Sequence, residues 1–136
     1  MDKCNLTGVP RPHYLIAADI SDDGKELKGI AVFPSSDPSI FDRKDHANVS
    51  HQLFALWNAA HLMARKLRIR YPLVRNIEVD IPKITRIDKE INLELKITEY
   101  TEKDRSVSGR FIASFSDNGR TLSNVKAQFK ALKIRE

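Results

Sequence analysis

One cysteine, one tryptophan, five glycines and no apolar run of bilayer-crossing length are found in 136 residues, and each shortage removes a class of function. Cys4 cannot close an internal disulfide and has no metal-binding companion, which suits a reducing cytosol. Without about 20 consecutive apolar residues, no membrane-spanning segment is expected. The first residues, MDKCNLTGVPRPHY, have neither a basic start nor an apolar segment, so no secretion signal is expected. None of the glycines forms a phosphate-cradling loop or a Gly-x-Ser-x-Gly elbow. No metal is expected either: His46 and His51 are five apart, His51 and His61 ten, with no carboxylate between His46 and His61. The most consequential shortage is of acid, since no Asp or Glu occurs between Asp45 and Glu78.

What is present describes one folded domain over residues 1–136, 41% hydrophobic and 30% charged. A balance of 23 basic to 18 acidic residues gives +5, a mild excess compatible with an anionic ligand. The stretch from Asp45 to Arg70 is the one long segment with a helical period. At 100° per residue, Leu53, Leu56, Trp57, Ala60, Met63, Ala64 and Leu67 share an arc, and this predicts a helix with Trp57 in the core. His51, Asn58 and Arg65 fall on the opposite arc, with His61 at its margin. Asp42, Asp45 and Ser50 each suit an N-cap, and Pro72 limits the far end.

The rest reads as strand and turn. His13–Ser21 and Glu26–Phe33 flank the turn Asp22-Asp23-Gly24-Lys25, with Leu27, Ile30 and Val32 as core positions. Residues 34–44 carry two prolines and read as a loop. Ile77, Val79 and Ile81 alternate, as do Ile91, Leu93, Leu95 and Ile97. Val107 to Phe115 alternate, then Asn118-Gly119 marks a tight hairpin into a strand with Val125, Ala127, Phe129 and Ala131 inward. Strands with one apolar face need a cover, and only the helix can supply it. The expected class is α+β, a curved antiparallel sheet around one central helix.

That order resembles the hotdog fold, in which five or six antiparallel strands wrap one long central helix, over roughly residues 12–133. Val79-Asp80-Ile81-Pro82-Lys83-Ile84-Thr85-Arg86-Ile87-Asp88, followed by the alternating strand from Ile91, resembles the Pro-rich corner of such proteins. The resemblance implies an acyl-CoA or acyl carrier protein thioester as partner, cytoplasmic fatty-acid metabolism, and a homodimer that can pair further into a tetramer. It implies no cofactor.

Three patterns within that group bear on the site. In 3-hydroxyacyl dehydratases a His precedes the helix, as His46 does, and a helical carboxylate completes the pair; here Asn58 stands near that position, and an amide cannot shuttle a proton. In hydroxybenzoyl-CoA thioesterases the spacing Asp, three residues, His, one residue, Asn is similar to Asp42, His46 and Asn48. In FcoT-like long-chain acyl-CoA thioesterases, polar amides on the central helix resemble Leu56-Trp57-Asn58-Ala59-Ala60. The resemblance makes His46, Asn58 and Asp42 the catalytic residues and Asn48 and His51 substrate-binding. Arg65 and Arg68 lie in a dense basic run, where they either complement the helix dipole or dock coenzyme A phosphates or an acidic carrier. Aromatics are not interleaved with these cations, so nucleic acid ranks last. The expected activity is acyl-thioester hydrolysis; the alternatives are a non-catalytic acyl-CoA-binding protein and a dehydratase-like enzyme of a lipid or polyketide pathway.

Overall fold

Two periodicities become two layers, a sheet and the helix it covers. The computed structural model describes residues 1–37, 46–70 and 72–134. Its elements are β1 (Leu15–Ile20), β2 (Glu26–Ala31), β3 (His46–Ala47), α1 (Val49–Leu67), β4 (Leu73–Asp80), β5 (Thr85–Arg86), β6 (Ile91–Glu102), β7 (Ser106–Asp117) and β8 (Arg120–Leu132). Six strands form one antiparallel sheet in the order β1-β2-β6-β7-β8-β4, and β3 pairs with β5 in a separate short ladder. The sequence did not signal that ladder, because two residues per strand leave no period to read.

Turn chemistry fixes the register. Asn118 and Gly119 both have positive φ, 48° and 77°, so the β7–β8 hairpin closes tightly and pairs Asp117 with Arg120. At Gly109 a side chain is excluded for another reason. β6 bulges between Ile97 and Glu99, and a Cβ on Gly109 would stand 2.0 Å from the Glu99 carbonyl oxygen.

The inward faces of β6, β7 and β8 are those the alternation predicts: Leu93, Phe115 and Val125 are buried. β2 corrects the expectation, because Ala31 and Phe33 are fully buried while Ile30 and Val32 are only half-buried on the other face. β4 corrects it further: Ile77, Val79 and Ile81 remain exposed. α1 lies against β1, β2, β3 and β6; of β4, Val74 packs against the core and shares a cavity lining with Ala60, Met63, Ala64 and Leu67 of α1, while Ile77 and Val79 stay outside.

The helix itself is turned by about a third of a turn from the hydropathy arc. Its buried face is His51, Gln52, Ala55, Leu56, Asn58, Ala59, Leu62, Met63 and Ala64. Ala55 and Ala59, both fully buried, carry no bulk and let the helix approach the sheet closely. Trp57, expected in the core, is half-buried, and Phe54 is exposed. The cap is Asn48 in extended backbone, not Ser50; Asp42 and Asp45 lie outside the described residues. Arg68 ends the helix in the left-handed conformation.

The arc that the sequence assigned to solvent is contacted by the chain's own beginning, which buries Asn58 while Arg65 stays exposed. Arg65 donates to the carbonyls of Asn5 (3.0 Å) and Thr7 (3.1 Å), and Asn58 donates to that of Pro12 (3.2 Å). Further along, residues 2–4 bond to the outer edge of β1, with Cys4 N–H on Ile16 O and Ala18 N–H on Asp2 O. Among the described residues, β4 is therefore the sheet edge left open.

Candidate functional site

The first turn of α1 is built by a reciprocal cap. Asn48 Oδ1 accepts from the His51 N–H at 3.1 Å, and the Asn48 N–H donates to His51 Nδ1 at 3.1 Å. Because Nδ1 accepts, the neutral ring carries its proton on Nε2. Asn48 takes the extended backbone of an N-cap, and the Gln52 N–H closes the first helical bond onto Asn48 O at 3.2 Å. The N–H groups of Val49 and Ser50 have no carbonyl to reach within the helix, and none of the described residues accepts from them. They point along the positive end of the helix dipole.

Around this turn several polar groups are buried. His51 and Gln52 are each 4% exposed, and the Ser123 hydroxyl donates to Gln52 Oε1 at 2.5 Å. Thr85, opposite Ala47 in the β3–β5 ladder, is fully buried, and its hydroxyl has no hydrogen-bond partner among the described residues. The Tyr14 ring meets the His51 ring edge-on, with centroids 6.0 Å apart, and the Tyr14 hydroxyl donates to Asp37 Oδ2 at 2.6 Å. The segment after β2 thus brings a carboxylate to the Tyr14 hydroxyl, although the helix itself has none.

The expected site residues divide into two groups. Asn48 and His51 meet at the helix start, and the His46 backbone stands in β3 opposite Arg86. Asp42 and the His46 side chain lie outside the described residues. Asn58 is on the same face two turns on, but fully buried instead of solvated. Its Oδ1 accepts from the N–H groups of Tyr14 (2.8 Å) and Leu15 (3.4 Å). The amide satisfies the start of β1, which is why a polar side chain is stable there. Arg65 and Arg68 are at the other end of α1, about 24 Å from Val49 for Arg65 at 1.5 Å per residue. The Arg65 guanidinium is engaged with the carbonyls of residues 5 and 7.

Sequence reasoning missed Tyr14, Asp37, Gln52, Thr85 and Ser123. Gln52 alone carried a local signal, its place in the first helical turns. Tyr14 and Asp37 are 23 residues apart and Gln52 and Ser123 are 71 apart, and no periodicity reports a contact across such distances.

One further histidine has a shifted titration. Burial, with the Arg65 charge second, pushes the His61 imidazole down to about 4. Its ring packs edge-on to Trp57 at 5.1 Å between centroids.

No protein-family model matches the chain, and no curated protein does. Solved structures do. A hypothetical thioesterase protein from Streptococcus pneumoniae TIGR4, crystallised with coenzyme A, superposes with a TM-score of 0.63 at 11% identity, covering 88% of each chain. AziG of S. sahachiroi superposes with a TM-score of 0.64 at 9% identity, covering 88% of this chain and 92% of that one. A thioesterase superfamily protein, RHA08564, gives 0.57 at 11% identity over 85% of this chain; the present chain spans 55% of its length. At these identities the likeness is one of fold: one helix against a six-strand antiparallel sheet, the hotdog arrangement shared with thioesterase-superfamily proteins.

Proposed function

Taking the hotdog fold as the premise, we propose that this protein hydrolyses acyl-coenzyme A thioesters at the N-terminal end of α1. One observation carries the reading. Among the described residues the Val49 and Ser50 N–H groups have no acceptor, and the fully buried Thr85 hydroxyl, in the β3–β5 ladder that leads into the helix, has no partner. An unsatisfied buried hydroxyl costs about 1–3 kcal/mol, a cost removed when a bound molecule reaches it. The helix N–H groups suit the oxygen of a thioester carbonyl, whose negative charge grows as water attacks and which the helix dipole favours. Asn48 and His51 set the geometry of that turn through their mutual cap. His46 and Asp42, from the resemblance, are the groups assigned to the attacking water. Asn58 has a different part in this reading, since its amide holds Tyr14 and Leu15.

The coenzyme A moiety is favoured over a carrier protein by the Streptococcus pneumoniae neighbour, crystallised with coenzyme A. Arg86, exposed in β5 opposite His46, is a described cation in the ladder that leads into the helix, and in this reading it makes the phosphate contact that the sequence offered as one alternative for Arg65 and Arg68. A homodimer belongs to this reading and is supported by β4, whose outer edge is unpaired among the described residues and whose apolar residues Ile77 and Val79 are exposed, a combination prone to aggregate unless a second strand covers it.

The test is thiol release from butyryl-, octanoyl- and palmitoyl-coenzyme A. Turnover of any of the three supports the reading. The missing helical acid favours a second reading, a non-catalytic binder; its signature is a melting temperature raised by an acyl-coenzyme A with no thiol released.

A further inference from the structure

We propose that the sheet face turned away from α1 docks on an anionic lipid surface, at the end where the segment after the helix runs beside β8. The inference stands apart from the thioesterase reading and uses a part of the basic run that the site leaves idle. Arg65 is engaged with the carbonyls of residues 5 and 7, whereas Arg70 lies in extended chain alongside β8.

Register places the residues. Ile69 bridges Lys133, and the Arg70 N–H donates to Leu132 O at 2.8 Å, so Arg70 stands beside Leu132. Leu73 pairs with Lys130. Ile69, Phe129 and Ala131 are buried toward the core, and alternation then turns Arg70, Lys130 and Leu132 outward, all three exposed. The result is a checkerboard in which each leucine has a cation as its cross-strand neighbour. Leu73 is 71% exposed and Leu132 55%, and Ile134, two residues beyond Leu132, is 46% exposed. Single exposed aliphatics are ordinary on a protein surface; three gathered among cations mark a contact surface. Across β8 the same two registers continue with Ser106, Ser108 and Thr101, so among the described residues they hold neither a carboxylate nor an aromatic ring. Arg75, paired with Gln128 in the next register, extends the positive charge. The Glu99 carboxylate of that register stands against Arg110 at 3.5 Å.

The pattern selects the partner. An interface with another protein gathers apolar residues at its centre and leaves charges to its rim, which a checkerboard does not do. Single-stranded nucleic acid binds through aromatic rings on which bases stack, and these registers have none. A leaflet accepts the alternation: leucine side chains enter below the headgroups while the longer Arg and Lys stems carry their charges back up to the phosphates. Each cation close to an anionic leaflet strengthens association by about fivefold.

The experiment is co-sedimentation of the full chain with phosphatidylcholine vesicles, with and without about one-third phosphatidylserine, at about 0.1 M and about 0.5 M salt. Wild type is expected to bind the anionic vesicles at low salt, and to bind about tenfold or more weakly when either the phosphatidylserine is left out or the salt is raised. Arg70→Gln with Lys130→Gln is expected to lower the partition coefficient by about 25-fold. Leu73→Ser with Leu132→Ser is expected to lower it by about tenfold or more while leaving its salt dependence unchanged, since only apolar insertion is removed. Lys28→Gln with Lys96→Gln, exposed cations of the same face on β2 and β6, lie more than about a Debye length away and should change it by less than about threefold. An equal fall for the two charge-neutralised pairs assigns the binding to the net charge of +5 and overturns the proposal. So does a wild type that ignores anionic vesicles, or one that binds neutral vesicles as well, or a leucine pair that binds unchanged. Capture of a single-stranded oligonucleotide without vesicle binding, lost in Arg70→Gln with Lys130→Gln, assigns the surface to nucleic acid and overturns the lipid reading.

Discussion

Replacing Asn58 with Ala removes a side-chain amide that bonds the middle of α1 to the start of β1. Three bonds are lost: from Tyr14 N–H at 2.8 Å, from Leu15 N–H at 3.4 Å, and to Pro12 O at 3.2 Å. The Tyr14 N–H is the costly one, since the residue is 1% exposed and water cannot reach it. Leaving one such group unpaired costs about 1–3 kcal/mol. The Leu15 bond is long and weak, and Pro12 is half-buried, so its carbonyl partly recovers a water partner. The vacated amide volume adds roughly 1 kcal/mol. The expected loss is about 2–4 kcal/mol, read as a lower midpoint in equilibrium urea unfolding at unchanged m. Asn58→Asp separates the parts: it keeps an acceptor for Tyr14 but buries a charge, so its stability should recover as the pH falls and the acid becomes neutral. A cost for Asn58→Ala of less than about 0.5 kcal/mol, the level of an ordinary surface change, would refute the reasoning.

Gly109→Ala should destabilise by about 1–3 kcal/mol in the same assay, because the new Cβ meets the Glu99 carbonyl and the Phe129 ring; a neutral result would mean that the β6 bulge can relax. Introducing lysine at both Ile77 and Ile81 should convert a dimer into a monomer in light scattering, and a monomeric wild type would sink the edge-pairing argument. His61 binds its proton at about 4 when folded against an ordinary 6.5 when unfolded. Between those values the unfolded chain takes up a proton that the folded one does not, so stability falls as pH drops from 6.5 to 4 and levels off below. His61→Gln should flatten that segment of the urea-midpoint curve, and parallel curves for the two proteins would contradict it. Arg86→Ala should raise KM for an acyl-coenzyme A by about 10-fold, roughly 1.4 kcal/mol, and leave an acyl thioester of N-acetylcysteamine unaffected.

The fold was legible because its signals are local and repeated. Alternation in residues 91–97, 107–115 and 125–131 repeats often enough to identify the inward faces, and Asn118-Gly119 names its turn by the positive φ that only a few residue types tolerate. β4 shows where such reading stops, since Ile77 and Val79, with Ile81 just beyond, obey the pattern but remain exposed. Alternation reports which side chains share a face, never what lies against that face.

The site was far less legible. The amide, imidazole and guanidinium at positions 58, 51 and 65 share a polar arc, and hydropathy assigns such an arc to water. Instead Asn58 is buried against the main chain of residues 12–15, His51 is buried in its cap with Asn48 and against the Tyr14 ring, and Arg65, still exposed, spends its guanidinium on the carbonyls of residues 5 and 7. The Tyr14–Asp37 pair joins β1 to the segment after β2. By itself the sequence determined the element types, the strand faces of the second half and the absence of an acid on the helix, all carried by neighbours in the chain. Only the tertiary structure decided which helix face is inside, that Asn58 holds the start of β1 and that Tyr14 meets Asp37, because those depend on contacts between residues that no local period connects.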